Sequence, residues 1–79
     1  MLFRSRMQTE QLIKMANQIG DFYESYPDKN QAQIDIAGHL TKFWATSMRQ
    51  QLALHVSQTK GQGLHPQVAA AIANHLQIS

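Results

Sequence analysis

Histidine is the residue type in this chain best suited to proton transfer or metal binding, and it occurs as His39, His55, His65 and His75. No pair of them has the four-residue spacing with an adjacent glutamate that makes a helical zinc site, and the chain has no cysteine to complete a ligand set. The serines also lie outside any recognised nucleophile motif. We therefore predict no metal site and no catalytic residues, so that the chain is not an enzyme by itself.

The segment "KGQGLHP" at residues 60–66 also invites a chemical hypothesis, because glycine-rich loops can hold phosphates. No strand pattern precedes it, and the lysine and hydroxyl residue of a phosphate-binding loop are missing. Gly61 is therefore expected to end a helix and Pro66 to begin the next one. A second hypothesis stays open, in which Arg49, Gly63 and His65 bind an anion, the last two beside the free N–H groups that open that helix.

Charge and hydropathy limit the classes of partner. Residues 1–35 hold five acids and four bases, a balance of −1, whereas residues 36–79 hold three bases and no acid, a balance of +3. Three cations are few for a nucleic-acid site, where about six or more phosphate contacts are common, so no nucleic-acid partner is expected. No apolar run approaches the roughly 18 residues of a membrane span, and no secretory signal opens the chain, which predicts a cytoplasmic location without membrane contact.

Proline and glycine divide the sequence into four segments with helical periodicity. We predict helices over about residues 10–26, 29–44 and 47–59 and a fourth that starts at Pro66. Thr9 is the predicted N-cap of the first helix, and Asp28 with Gln31 has capping-box form at the second. The predicted fold class is all-α, a small bundle of about four short antiparallel helices. Residues 9–79 form one domain after a flexible N-terminus at residues 1–8.

Apolar periodicity predicts the buried faces of these helices. The predicted core positions of the first helix are Leu12, Met15, Ala16, Ile19, Phe22, Tyr23 and Tyr26. Those of the third and fourth are Met48, Leu52, Ala53, Val56, Val68, Ala69, Ile72 and Leu76. In the second helix, apolar residues spread over more than half of the circumference, namely Ala32, Ile34, Ile36, Ala37, Leu40, Phe43 and Trp44. Either the second helix is the centre of the bundle, or something else covers one of its sides.

Two residues carry alternative interpretations. Arg49 falls inside an apolar arc, so it either lays its aliphatic stem on apolar surface or aims its guanidinium at a carboxylate or phosphate. Gly20 costs about 1 kcal/mol relative to alanine in mid-helix, so a compensating role is expected. That role is either close approach of another helix or, together with Ile13, Asn17 and Glu24, a narrow docking strip for a larger subunit.

Four segments together resemble a known family. The chain contains "KMANQIGDFYESYPD", "IAGHLTKFW", "MRQQLALHV" and "GLHPQVAAAI" in this order. They are similar to the delta subunit of cytoplasmic NAD-dependent formate dehydrogenase over about residues 10–73. The resemblance implies a non-catalytic accessory subunit that docks on the catalytic alpha subunit, with beta and gamma subunits in the same complex. It supports assembly, stability or molybdenum-cofactor retention, as a permanent subunit or a transient helper.

The same resemblance implies the cofactors of the complex but none bound by this chain. They are bis-molybdopterin guanine dinucleotide with molybdenum or tungsten, iron–sulfur clusters, FMN and NAD. We expect one of Phe43 and Trp44 to pack inward and the other to face the partner. The full set of predicted partner-binding residues is Ile13, Asn17, Gly20, Lys42, Phe43, Trp44 and Arg49. An isolated chain can self-associate through such a face. The alternative function is a small helical module that binds a nucleotide or the phosphates of a cofactor.

Overall fold

A computed structural model describes residues 8–76 of the protein. Within them the chain forms four helices: α1 (Thr9–Phe22), α2 (Lys29–Phe43), α3 (Thr46–Thr59) and α4 (Pro66–Asn74). The predicted all-α class is therefore confirmed. The predicted flexible N-terminus lies outside the described residues except for Gln8, as do the last three residues of the predicted domain.

A side-chain cap and a first-turn proline explain where two of the helices begin. The Asp28 carboxylate accepts a hydrogen bond from the backbone N–H of Gln31 at 3.1 Å, as the capping-box pattern predicts. Pro66 occupies the first turn of α4, again as predicted, because its missing N–H costs nothing at that position. α3 begins at Thr46, one residue before its predicted start.

The predicted N-cap of α1 is wrong. Thr9 is the first residue of the helix itself, and Gln8 stands at the N-cap without a side-chain hydrogen bond. The Thr9 hydroxyl instead accepts a hydrogen bond from Nε2 of Gln51 in α3 at 3.0 Å. A tertiary partner has therefore taken the hydroxyl that local capping would have used.

The predicted end of α1 is also wrong, since the helix stops at Phe22 rather than near Tyr26. Pro27 disfavours helical backbone at the residue before it, and the chain already turns from Tyr23 onward. Phe22, the last residue of α1, is 71% exposed, so its predicted place in the core is a second error. Tyr23 and Tyr26 remain half-buried and stack edge to face, with ring centroids 4.8 Å apart.

The core lies where α4 packs against the other three helices. It contains Leu12, Ala16, Ile36, Ala37, Leu40, Trp44, Leu52, Val68, Ala71 and Ile72. α4 is thus the central helix, although the wide apolar arc of α2 had suggested that α2 could be. α1 and α2 are only in marginal contact with each other. One side of α2 is consequently uncovered, and its Ile34 and Phe43 are exposed.

The connection from α3 to α4 returns the chain to α1. α3 ends at Thr59, and both Lys60 (φ 61°) and Gly61 (φ 83°) adopt left-handed backbone, which stops the helix as predicted.

The helices within residues 8–76 are too short or too polar for any of them to span a bilayer.

Candidate functional site

The two aromatic residues at the end of α2 point to different environments. Trp44 is 8% exposed and belongs to the core, whereas Phe43 is 72% exposed. Trp44 has left the helical conformation, with φ −98° and ψ 142°, while its N–H still bonds to the carbonyl of Leu40. The structure therefore assigns the inward position to Trp44 and the outward position to Phe43.

Arg49 ties the end of α2 to the start of α3. Its Nη1 donates to the carbonyl oxygens of Trp44 and, at 3.2 Å, of Thr41, and its Nη2 donates to the Thr46 hydroxyl at 3.2 Å. A cation is favourable at the negative end of a helix dipole, where unpaired carbonyls collect. Within the described residues the guanidinium thus faces backbone carbonyls instead of a carboxylate or phosphate.

The predicted docking strip on α1 is covered from within the chain. A Cβ on Gly20 would stand 2.7 Å from Val68 Cγ2 and 3.0 Å from His65 Cγ, so glycine here allows close approach of α4. Asn17 donates to the Gly63 carbonyl at 3.0 Å and accepts from the His65 N–H at 2.8 Å. Ile13 lies against Gly63 as well. Ile13, Asn17 and Gly20 already pack on α4 and the segment before it, so we do not assign them to a docking surface.

The predicted anion-binding residues do not form one site. Arg49 lies in the first turn of α3, whereas Gly63 and His65 follow the opposite end of that helix. The Gly63 carbonyl and the His65 N–H both bond to Asn17, and His65 Nδ1 accepts from the N–H of Gln67 at 3.2 Å. The polar groups that open α4 therefore have partners inside the chain.

Folding brings His65 beside two carboxylates, which sequence spacing could not foretell. Asp21, Glu24 and His65 each offer an atom within 4.8 Å of the others, and His65 Nε2 lies 3.9 Å from Glu24 Oε1. Nδ1 of His65 accepts the backbone N–H of Gln67, while Nε2 faces the carboxylates. The cluster thus stands at the cap of α4.

Large apolar side chains are exposed on one side of α2 and at the C-terminal end of α1 that this side faces. Phe22, Ile34 and Phe43 are 71%, 41% and 72% exposed, and we call the surface that they define the α1–α2 face. The ring of Phe22 meets Tyr23 edge to face at 5.0 Å, and the ring of Phe43 lies 4.8 Å from that of His39. A further large apolar residue, Leu54 on α3, is 55% exposed but does not line this face.

A groove runs along the α1–α2 face, because the two helices barely touch. Between them lies a cavity of about 410 Å³, which is lined by Met15, Gln18, Ile19, Phe22, Tyr23 and His39. Tyr23 and His39 also line an adjoining part of about 350 Å³, whose other residues are Ile34, Asp35, Gly38, Lys42 and Phe43. Burial, with the nearby charges of Tyr26 and Asp35, raises the pKa of Tyr23, whose ring lines both parts of the groove.

Gly38 lies on α2 within this groove, and no contact within residues 8–76 explains the glycine. A Cβ built there would meet no atom within 4 Å. The residue carries no positive φ, unlike Gly61 and Gly63. Glycine in mid-helix costs about 1 kcal/mol relative to alanine, so the chain carries this cost without an internal contact in return. Gly38 is absent from the predicted site residues, although its position in a helix interior is a visible signal.

The chain was compared with known protein families. The model of the family described as NADH-dependent formate dehydrogenase delta subunit FdsD matches residues 11–77. The matched range contains α2, α3, α4 and all but the first two residues of α1, and so includes both walls of the groove. No curated protein and no solved structure matches the chain.

Proposed function

The chain belongs to the delta-subunit family of NADH-dependent formate dehydrogenase, and from that premise we propose that it is a non-catalytic accessory subunit that docks on the catalytic alpha subunit. The observation that carries the proposal is the α1–α2 face. Phe22 and Phe43 are both more than 70% exposed there, beside a groove that the chain's own helices leave open. Contiguous apolar surface of this kind is typical of a protein–protein contact.

Burial of the two phenylalanine rings supplies a driving force for docking. Fully burying one such side chain contributes about 1.5–3 kcal/mol, so the pair, each about 70% exposed, offers on the order of 2–4 kcal/mol of favourable transfer free energy. Aromatic residues are also enriched at the centres of protein interfaces. The same calculation explains why an isolated chain can self-associate through this face when the alpha subunit is absent.

We place the cofactors of the proposed complex in the other subunits. The alpha subunit oxidises formate at a molybdenum or tungsten centre held by bis-molybdopterin guanine dinucleotide, and iron–sulfur clusters pass electrons to FMN and NAD. With no cysteine, the delta chain has no thiolate for an iron–sulfur cluster. Its proposed role is to support assembly, stability or retention of the molybdenum cofactor in a cytoplasmic complex that also contains beta and gamma subunits.

The test compares two variants that each remove one exposed apolar side chain. Phe43→Ser changes the α1–α2 face, and Leu54→Ser changes an exposed position on α3. We expect Phe43→Ser to lower the affinity for purified alpha subunit by about tenfold or more, the equivalent of 1.4 kcal/mol. Leu54→Ser is expected to bind like the wild type, and circular dichroism should show equal helix content in both variants.

Two results would contradict the proposal. If the wild-type chain does not bind the alpha subunit, the docking function is wrong. If Phe43→Ser and Leu54→Ser weaken binding equally, docking occurs, but the α1–α2 face is not the surface that carries it.

A further inference from the structure

The occupant of the groove follows from its shape, its backbone and its charges. We propose that one amphipathic helix of the alpha subunit lies in the groove, crosses α2 at Gly38 and places a carboxylate beside Lys42. This inference rests on the proposed docking function and adds the kind of element that docks. It is supported by Gly38, by the residues around Gly38, by the hydrogen bonding within the helices that form the groove walls and by the charge of Lys42.

Gly38 indicates close approach from outside the chain. Neither a neighbour among residues 8–76 nor a left-handed backbone requires glycine at this position. A missing side chain lets a second backbone come nearer than a Cβ would allow. Helices pack with axes about 8–10 Å apart according to the side chains at the contact, and glycine at the crossing point permits the short end of that range.

The residues around Gly38 form the notch that a crossing helix needs. Ile34 stands four positions before Gly38 and Lys42 four positions after it, so the three lie in one row along α2. All three line the groove, with Phe43 beside them. A ridge of side chains on the incoming helix can therefore fit between Ile34 and Lys42 while its neighbours contact Phe43.

The hydrogen bonding of the walls favours a helix over an extended segment. Both walls of the groove are helices, α1 and α2, whose backbone groups bond within their own helix. An extended segment would find no strand edge there and would leave its own backbone polar groups without partners as it was buried. A helix satisfies these groups internally, and helix-in-groove binding presents apolar residues at three- and four-residue spacing.

Charge complementarity supplies the carboxylate of the partner helix. Lys42 lines the groove, and its side-chain ammonium makes no hydrogen bond or ion pair with any residue in the range 8–76. Asp35, the acidic residue beside it, already accepts from Gln31 Nε2 at 2.9 Å. A partner helix that brings a carboxylate of its own pairs with Lys42 and leaves the bond from Gln31 to Asp35 in place.

The test adds a methyl group at the crossing point of the full-length chain. Gly38→Ala should raise the Tm of the isolated chain by about 4 °C, because alanine favours the helix and meets no neighbour. The same variant should bind the alpha subunit about tenfold more weakly. Lys42→Glu should lose affinity to a similar extent. Ser57→Ala, an exposed change on α3, serves as the control that affects helix propensity without touching the groove.

Hydrogen exchange on the complex identifies the occupant. We expect new protection in one helical segment of the alpha subunit that bears an acidic residue, and protection of an extended loop there would overturn the proposal. If Gly38→Ala binds like the wild type while Phe43→Ser does not, the crossing at Gly38 is wrong, and the docking function stands. If the chain forms a dimer that Gly38→Ala dissociates and the alpha subunit does not compete with, a second copy is the occupant and the proposal fails.

Discussion

Trp44 and Phe43 are adjacent in sequence, yet the stability of the chain should depend on them very differently. Trp44 is buried in the core and Phe43 is largely exposed. We expect Trp44→Ala to lower the free energy of unfolding by about 3–5 kcal/mol, through lost burial and the cavity left behind. Phe43→Ala should change it by about 0.5 kcal/mol or less, as exposed substitutions usually do. Urea unfolding followed by circular dichroism measures both.

Leu40→Ala provides the reference for this comparison, since Leu40 is fully buried on the same helix. A Trp44→Ala variant that unfolds at the wild-type urea concentration would contradict the inward assignment of Trp44. A Phe43→Ala variant as unstable as Leu40→Ala would show that the phenylalanine, and not the tryptophan, supports the core.

At this scale the sequence could predict the contrast between the two aromatic residues but not its direction. Successive helical residues point about 100° apart, which favours different environments for two adjacent rings. Which ring faces inward depends on the turn after Phe43, where Trp44 becomes extended. The role of Arg49 was hidden for a similar reason, because the acceptors of its guanidinium are backbone carbonyls that this turn assembles.

Among the helices, the contact of α1 with α4 depends on the absence of a side chain at Gly20. Alanine would favour the helix by about 1 kcal/mol, but its Cβ would stand 2.7 Å from the stiff, β-branched Val68. Overpacking of this kind costs about 1–3 kcal/mol. We therefore expect Gly20→Ala to destabilise the chain and lower its Tm in a thermal unfolding experiment.

The same substitution at Gly38 is the matched comparison, because a Cβ there meets nothing within 4 Å. The two glycine-to-alanine variants should thus move the Tm in opposite directions. If Gly20→Ala raises the Tm as Gly38→Ala should, α4 can move away from α1 without loss, and the close contact contributes little.

The helices themselves were largely predictable, since proline, glycine and a capping aspartate are local signals. Asp28 and Pro66 mark helix starts in the sequence and in the structure. The prediction failed where tertiary contacts or the turn decide. The Thr9 hydroxyl accepts a hydrogen bond from Gln51 of α3. α1 ends before the apolar pattern does, and its last residue, Phe22, lies outside the core.

For the molecule as a whole, the uncovered side of α2 connects the fold to the family. α4 occupies the centre, and α1 and α2 hardly touch, so the bundle buries one side of α2 and leaves an apolar groove on the other. The predicted alternatives for α2 were a central position or a covering partner. The fold favours the second, and membership in a family of subunits is consistent with it.

Cofactor retention is a property of the assembled enzyme and is tested there. The alpha, beta and gamma subunits are co-expressed with wild-type delta chain, with Phe43→Ser, with Leu54→Ser or without delta, and metal content per alpha subunit is measured by mass spectrometry. If docking through the α1–α2 face retains the molybdenum cofactor, Phe43→Ser should lower the metal content to the level without delta, and Leu54→Ser should not. Equal metal content in all four preparations would refute retention. Stoichiometric delta chain in the active enzyme would then identify a permanent structural subunit, and its loss from the mature enzyme a transient assembly helper.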